Sequence, residues 1–253
     1  LHPNELIIVA ARPAMGKTAF ALNLVVNAAM NQDKAVALFN MEMPAEQLAI
    51  RILSSIGQIK QNKLKNGYLE HDDWKRINEA ISRLADTKLF IDDTAGMTIA
   101  EIKAKCRRLA SQKDGLALIV IDYLTLIQGS AKYQGNRQQE VSEISRSLKT
   151  LAMELGVPVV ALAQLSRGVE AREDKRPMLS DLRESGSIEQ DADIVAFLYR
   201  DDYYTKSATD TNPVSESEFI VAKHRNGPTK TIPLIFQRDT STFVNCVNNQ
   251  EKE

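Results

Sequence analysis

Short apolar runs punctuate the chain: Leu6 to Ala10, Ala35 to Asn40, Leu89 to Asp92, Leu116 to Tyr123, Pro158 to Ala163 and Ile194 to Tyr199. They are too short for independent helices and most lack polar alternation, which predicts strands buried on both faces of a parallel sheet. Between them apolar positions recur at helical spacing. Ala19 to Val25 forms one such stretch, and Pro44 opens another that runs from Ala45 to Ile56. Trp74, Ile77, Ala80, Ile81 and Leu84 mark a third, and Val141, Ile144, Leu148, Leu151 and Leu155 a fourth, stopped by Gly156. Thr98 and Glu101 have capping-box spacing ahead of a helix through Ile102, Cys106 and Leu109. Near the end, Phe219 to Ala222 and Thr231 to Phe236 flank Asn226-Gly227, the pattern of a β-hairpin.

The pattern predicts an α/β fold: a mostly parallel central sheet, helices on both faces and a C-terminal β-hairpin. One domain over 1–253 accounts for the chain. Residues 57–87 read as a helical insertion in which Trp74 anchors a small core, with Gln58 to Asn66 as a polar loop. Tyr133 to Arg137 and Arg167 to Arg176 read as polar loops, Arg200 to Glu216 as a long one, and 244–253 as a polar tail.

The first run leads directly into Ala11-Arg12-Pro13-Ala14-Met15-Gly16-Lys17-Thr18, and a helix follows from Ala19. Strand, tight loop and helix are the setting of a phosphate-binding loop, whose N–H groups and helix dipole converge on an anion. Gly16 admits the phosphates, Lys17 reaches the β and γ oxygens, and the Thr18 hydroxyl suits Mg²⁺. Ala11 stands where the G-x-x-x-x-G-K-[ST] pattern has its first Gly, so it must hold a negative φ or bear strain. Asp122 ends the most apolar run, where a carboxylate is costly unless paired with Mg²⁺ or the Thr18 hydroxyl. Glu42 follows another strand end and is either the base that polarises an attacking water or a first-turn helix residue. Gln164 ends a third strand, either sensing the γ-phosphate or as a satisfied amide. Lys223 and Arg225 project from the hairpin tip on one face.

Composition narrows the classes. The 253 residues carry a net charge of −1, so any DNA-binding surface is local rather than a basic face. No apolar stretch approaches ~18 residues, which predicts no membrane span. Two distant cysteines and three scattered histidines suggest neither a zinc site nor a histidine metal cluster and suit a reducing, cytoplasmic setting. The start, Leu1 to Glu5, reads as the cut edge of a longer polypeptide.

These stretches resemble, in order, the C-terminal motor domain of the bacterial replicative DnaB-type helicases, a RecA-type hexameric ATPase family. The resemblance rests on the 11–18 loop, Asn40-Met41-Glu42-Met43, Val120 to Leu124 and Ala163-Gln164-Leu165-Ser166-Arg167. It rests most specifically on Asp181 to Asp193 and on Lys223-His224-Arg225-Asn226-Gly227-Pro228. It implies a RecA-like P-loop fold that hydrolyses ATP with Mg²⁺, using residues 11–19 and Asp122 for nucleotide and Thr18 with Asp122 for metal. It implies Glu42 as catalytic base, Gln164 as the link to DNA-facing loops, and Arg225 with Lys223 reaching a neighbour's ATP. DNA loops map onto Gln164 to Pro177 and Asp181 to Gly186, with Arg183, Glu184 and Gly186 meeting the backbone of single-stranded DNA. The implied partners are a homo-hexameric ring in the full-length protein, a primase, a helicase loader and an initiator. An N-terminal helical domain and a linker belong to the family and lie outside this sequence. The competing readings are another RecA-type ATPase, such as a recombination mediator or clock-type ATPase, and a P-loop small-molecule kinase.

Overall fold

Every long apolar run lies in one nine-stranded sheet of a computed structural model that describes residues 1–129, 136–182, 186–205 and 212–246. The strands are β1 (Leu6–Ala11), β2 (Ala35–Asn40), β3 (Leu89–Asp92), β4 (Leu116–Asp122), β5 (Val159–Gln164), β6 (Ile194–Tyr199), β7 (Val214–His224), β8 (Lys230–Gln237) and β9 (Thr242–Asn245). Their spatial order is β3-β2-β4-β5-β1-β6-β7-β8-β9. The first six in that order run parallel, and β7, β8 and β9 add on antiparallel. The helices are α1 (Lys17–Met30), α2 (Ala45–Gly57), α3 (Gln61–Asn66), α4 (His71–Ala85), α5 (Ile99–Ala110), α6 (Arg137–Leu155), α7 (Gly186–Asp191) and α8 (Asp202–Thr205).

Alternation along β1 shows why its run is continuously apolar. Leu6, Ile8 and Ala10 join a core under α5 and α6, with Ile102, Cys106, Ile144, Leu148 and Leu151. Ile7, Val9 and Ala11 join the opposite core under α1 and α2, with Leu22, Val25, Leu48 and Ile52. Successive side chains of a strand point to opposite faces, so both must be apolar when both are covered. Among the described residues no helix is long and apolar enough to cross a membrane. The buried Cys106 thiol is pushed up to about 12 by desolvation, while Cys246 is exposed, and both are free.

Several polar stretches carry more structure than their composition indicates. Gln58 to Asn66 contains α3, and Ile59 is fully buried with its carbonyl accepting from Ser54 Oγ. A six-residue helix is too short to form alone, and here Gln61 N–H donates to the Asp239 carbonyl, a contact no local pattern announces. Trp74 is 54% exposed rather than a core anchor, because α4 turns Ile77 and Ala80 inward instead. The stretch from Arg200 to Glu216 holds α8 and the start of β7, which pairs with β8 from Val214 onward. Val244 and Asn245, assigned to a tail, belong to β9 and pair with β8. The loop expected at Tyr133 to Arg137 lies outside the described residues up to Gly135; Asn136 caps α6 with a side chain that accepts from Gln139 N–H.

The parallel and antiparallel halves meet at Asp193, which is 4% exposed. Its carboxylate accepts from Leu6 N–H at 2.8 Å and Lys149 Nζ at 2.6 Å, and its backbone carbonyl accepts from Arg225 N–H at 2.8 Å. Replacing it with Ala strands a buried N–H and a partly buried ammonium. Asp193→Ala is therefore expected to lower stability by about 2–3 kcal/mol, read as a shifted urea midpoint at unchanged slope. A loss below about 0.5 kcal/mol, the ordinary range of surface substitutions, contradicts that placement.

Candidate functional site

The C-terminal ends of β1, β2 and β5 open onto one cavity of about 340 Å³, the place where parallel α/β sheets bind ligands. Pro13, Ala14, Gly16, Lys17, Thr18 and Ala19 line it, as do Arg12, Glu42 and Gln164. Residues from three strand ends thus converge although more than a hundred positions separate them. Ala11 and Met15 are the exceptions within the loop, both buried among apolar neighbours.

Ala11 finishes β1, pairs with Gln164 and is buried. Its backbone is in the strand, so the missing glycine costs nothing there. The left-handed positions fall later, at Ala14 (φ 63°) and Gly16 (φ 94°). Gly16 is required twice over: a Cβ there would stand 3.0 Å from the Phe243 ring of β9. Phe236 and Phe243 pack at 4.7 Å over this corner, and Phe20 meets Phe243 edge-on.

Beneath the loop, Thr18 Oγ1 donates to Asp122 Oδ2 at 2.7 Å and Asn40 Nδ2 donates to the same oxygen at 3.0 Å. Asp122 is fully buried, and its Oδ1 has no hydrogen-bond partner. Burial pushes the carboxyl above the usual carboxylate range, while the Thr18 bond and the Lys17 charge act against that. An orphaned carboxylate oxygen beside a hydroxyl is a hard-oxygen pair that fits Mg²⁺, with phosphate and water completing the shell. Among the described residues no cluster of three His, Cys, Asp or Glu side chains could hold a metal.

Asn40 also positions Glu42. Its Oδ1 accepts from Glu42 N–H at 3.1 Å and Met43 N–H at 2.7 Å, a side-chain turn that ends β2. Glu42 therefore sits in the bend ahead of α2, exposed to the cavity, and Glu46 occupies the first helical turn instead. Lys17 lies 4.2 Å from the Tyr123 ring centroid, and burial holds its ammonium below the ordinary lysine range despite Asp122 and Glu42.

Arg51 of α2 was not legible as a site residue. It lines the cavity, and burial lowers its guanidinium while Asp122 and Glu42 raise it. In the sequence it is one more charged residue on an amphipathic helix. The only available signal is its place one residue before the core residue Ile52.

Lys223 and Arg225 stand apart from this cavity. In the β6–β7 ladder Ile194 pairs with His224, while Ile194 also pairs with Ile7 near the start of β1. The hairpin tip thus lies at the N-terminal edge of the parallel strands, roughly 20 Å away along a six-residue strand. The pair folds back rather than projecting free. Lys223 Nζ donates to the Ala192 carbonyl at 2.8 Å, and Arg225 donates to the Gln190 carbonyl at 2.8 Å. Arg225 remains about half exposed. Gly227 sits where a Cβ would meet the His224 ring at 2.4 Å, which fixes the tip's shape. Gly186 is exposed at the start of α7, and Arg183 and Glu184 lie outside the described residues.

The family model for the DnaB-like helicase C-terminal domain matches residues 1–245. The chain is 58% identical over 242 residues to the replicative DNA helicase DnaC of Bacillus subtilis (strain 168) and 57% identical to DnaB of Geobacillus stearothermophilus. Each match covers 96% of this chain and 52% of the relative, so the chain spans about half the length of the curated relatives it matches. Two solved structures superpose with a TM-score of 0.89 at 42% identity over 97% of this chain. One is a DnaB-like replicative helicase studied with its interactions with primase, of which 58% is covered; the other is an ATPase domain, of which 86% is covered.

The geometry of Ala11 carries its own test. Ala11→Gly, which restores the general loop pattern, is expected to leave nucleotide affinity within about twofold and to lower stability by about 0.5–1 kcal/mol, the usual cost of Gly inside a strand. A severalfold gain in affinity, measured by titration with a fluorescent nucleotide, contradicts the assignment of the strain to Ala14 and Gly16.

Proposed function

This chain belongs to the DnaB-like helicase C-terminal domain family, and we propose that it is the ATP-hydrolysing motor of a replicative DNA helicase. The observation that carries the proposal is the single cavity in which Lys17, Thr18, Glu42 and Gln164 stand around a buried Asp122. Within it Lys17 meets the β and γ phosphate oxygens, exchanging its contact with Tyr123 for a charged one. Thr18 Oγ1 and Asp122 hold Mg²⁺, which when bound neutralises charge on the phosphates. Glu42 accepts a proton from water as the water oxygen bonds to the γ-phosphorus and the bond to ADP breaks, releasing phosphate. Arg51 adds a second cation on the same side, and Gln164 at the end of β5 relays the γ-phosphate to the segment after it.

Arg225 and Lys223 act on the ATP of the next subunit. Their distance from their own cavity, on the opposite edge of the sheet, supports action in trans, as in a homo-hexameric ring of the full-length protein. Single-stranded DNA is contacted through Gln164 to Pro177 and Asp181 to Gly186, with Arg183, Glu184 and Gly186 at the backbone. Such contacts carry no base information, so binding is sequence-tolerant and weakens with salt. A primase, a loader and an initiator are the protein partners, and the cytoplasm is the compartment.

Mixing variants of the full-length protein tests this division of labour. Glu42→Gln and Arg225→Ala are each expected to lose at least ~10² in ATP turnover, since one removes the base and the other the finger. A mixed ring contains interfaces with an intact Glu42 pocket facing an intact Arg225, so turnover is expected to recover in part. No recovery where labelled subunits demonstrably exchange contradicts action in trans.

A further inference from the structure

We propose that the ion pair between Arg12 and Glu170 is the positioning contact through which the nucleotide's phosphate state sets DNA affinity. The inference rests on the functional reading above and adds a route of its own to it.

Arg12 belongs to the phosphate-binding loop, yet its guanidinium is engaged with another part of the chain. Nε and Nη2 donate to Glu170 Oε1 at 2.9 and 2.7 Å, and Nη1 donates to the Leu165 carbonyl at 2.8 Å. The side chain is only 8% exposed while lining the cavity, so it bridges the loop and the segment after β5. Glu170 lies in the short 3₁₀ turn Arg167–Ala171. Directly after that turn Arg172 clamps Asp181 with two hydrogen bonds, at 2.8 and 2.9 Å. Asp181 also accepts from Met178 N–H at 2.8 Å, and its carbonyl accepts from Ser166 N–H at 3.2 Å.

The segment from Leu165 to Asp181 is thus cross-linked by charge-assisted bonds. The Arg12 side chain and the Leu165 N–H, which donates to the Ala11 carbonyl, tie it to the phosphate loop, and Arg176 ties it to Glu218 of β7. An anion in the cavity and the Glu170 carboxylate share the same guanidinium, so loading the cavity changes the hold on Glu170. Differential contact of that kind is what a ligand needs in order to shift an equilibrium elsewhere. Asp181 stands two residues before Arg183 in the sequence, so a changed hold on Glu170 is carried through Arg172 and Asp181 toward the proposed DNA backbone contacts.

The test uses the full-length protein with Glu170→Gln and Glu170→Asp. Affinity for a labelled oligothymidylate is measured with a non-hydrolysable ATP analogue and with ADP, and nucleotide affinity is measured without DNA. Glu170→Gln is expected to bind nucleotide within about twofold of wild type while the analogue-to-ADP ratio of DNA affinities falls about fivefold or more, within the usual range of allosteric coupling. Glu170→Asp, which keeps the charge, is expected to retain part of the ratio. A wild-type ratio in Glu170→Gln overturns the proposal, and so does a parallel loss of nucleotide affinity, which would make the contact a support of the loop alone. A wild-type protein that binds nucleotide but no DNA under either condition overturns the functional reading and this inference with it.

Discussion

The hydrogen bond from Thr18 to Asp122 joins the start of α1 to the buried end of β4. A buried carboxylate there is costly, and the Thr18 and Asn40 donors offset only part of the cost. β4 places it nonetheless, because Val120 and Ile121 ahead of it are buried on the two faces of the sheet and the strand ends where those covers end. Asn40 from the neighbouring β2 adds a second donor to one oxygen and leaves the other without a partner. The same Asn40 turns the chain so that Glu42 faces the cavity. One buried acid and its two donors therefore register three elements against each other, and the Lys17 ammonium stands over the result.

The two edges of the sheet divide the work. The cavity lies at the C-terminal ends of the parallel strands, where loop N–H groups and the α1 dipole are available to an anion. The hairpin of β7 and β8 runs antiparallel to β6 and so carries Arg225 to the other edge. The nucleotide-type cavity and Arg225 therefore lie at opposite edges of one sheet, the separation on which the proposed action in trans rests.

The parallel strands were legible because a strand covered on both faces must be apolar throughout, and β2 was read to its observed limits at Ala35 and Asn40. The phosphate loop was legible in spite of Ala11, since its flanking strand and helix were present. What local pattern could not carry were contacts made at long range. α3 depends on Asp239, β9 depends on β8, and Trp74 points outward because Ile77 and Ala80 already fill the space under α4. Arg51 is the clearest case in the site. It reaches the cavity from α2, and nothing in the spacing of a charged helix distinguishes it from a solvated face. Glu42 was left between two readings by the sequence, and the position of Pro44 at the cap of α2 removes it from the first turn.

The metal-holding role proposed for Asp122 rests on its burial and on the one carboxylate oxygen that has no partner. Thermal melting of wild type and Asp122→Asn, each alone, with ATP analogue, and with analogue plus Mg²⁺, tests this most directly. At a hundredfold excess over Kd a ligand adds about 2.7 kcal/mol, worth roughly 5–10 °C in a domain of this size. Wild type is expected to gain that increment only when Mg²⁺ accompanies the analogue. Asp122→Asn, relieved of a buried charge, is expected to melt no lower than wild type when free and to gain nothing from Mg²⁺. A variant that keeps the full Mg²⁺-dependent increment contradicts the account.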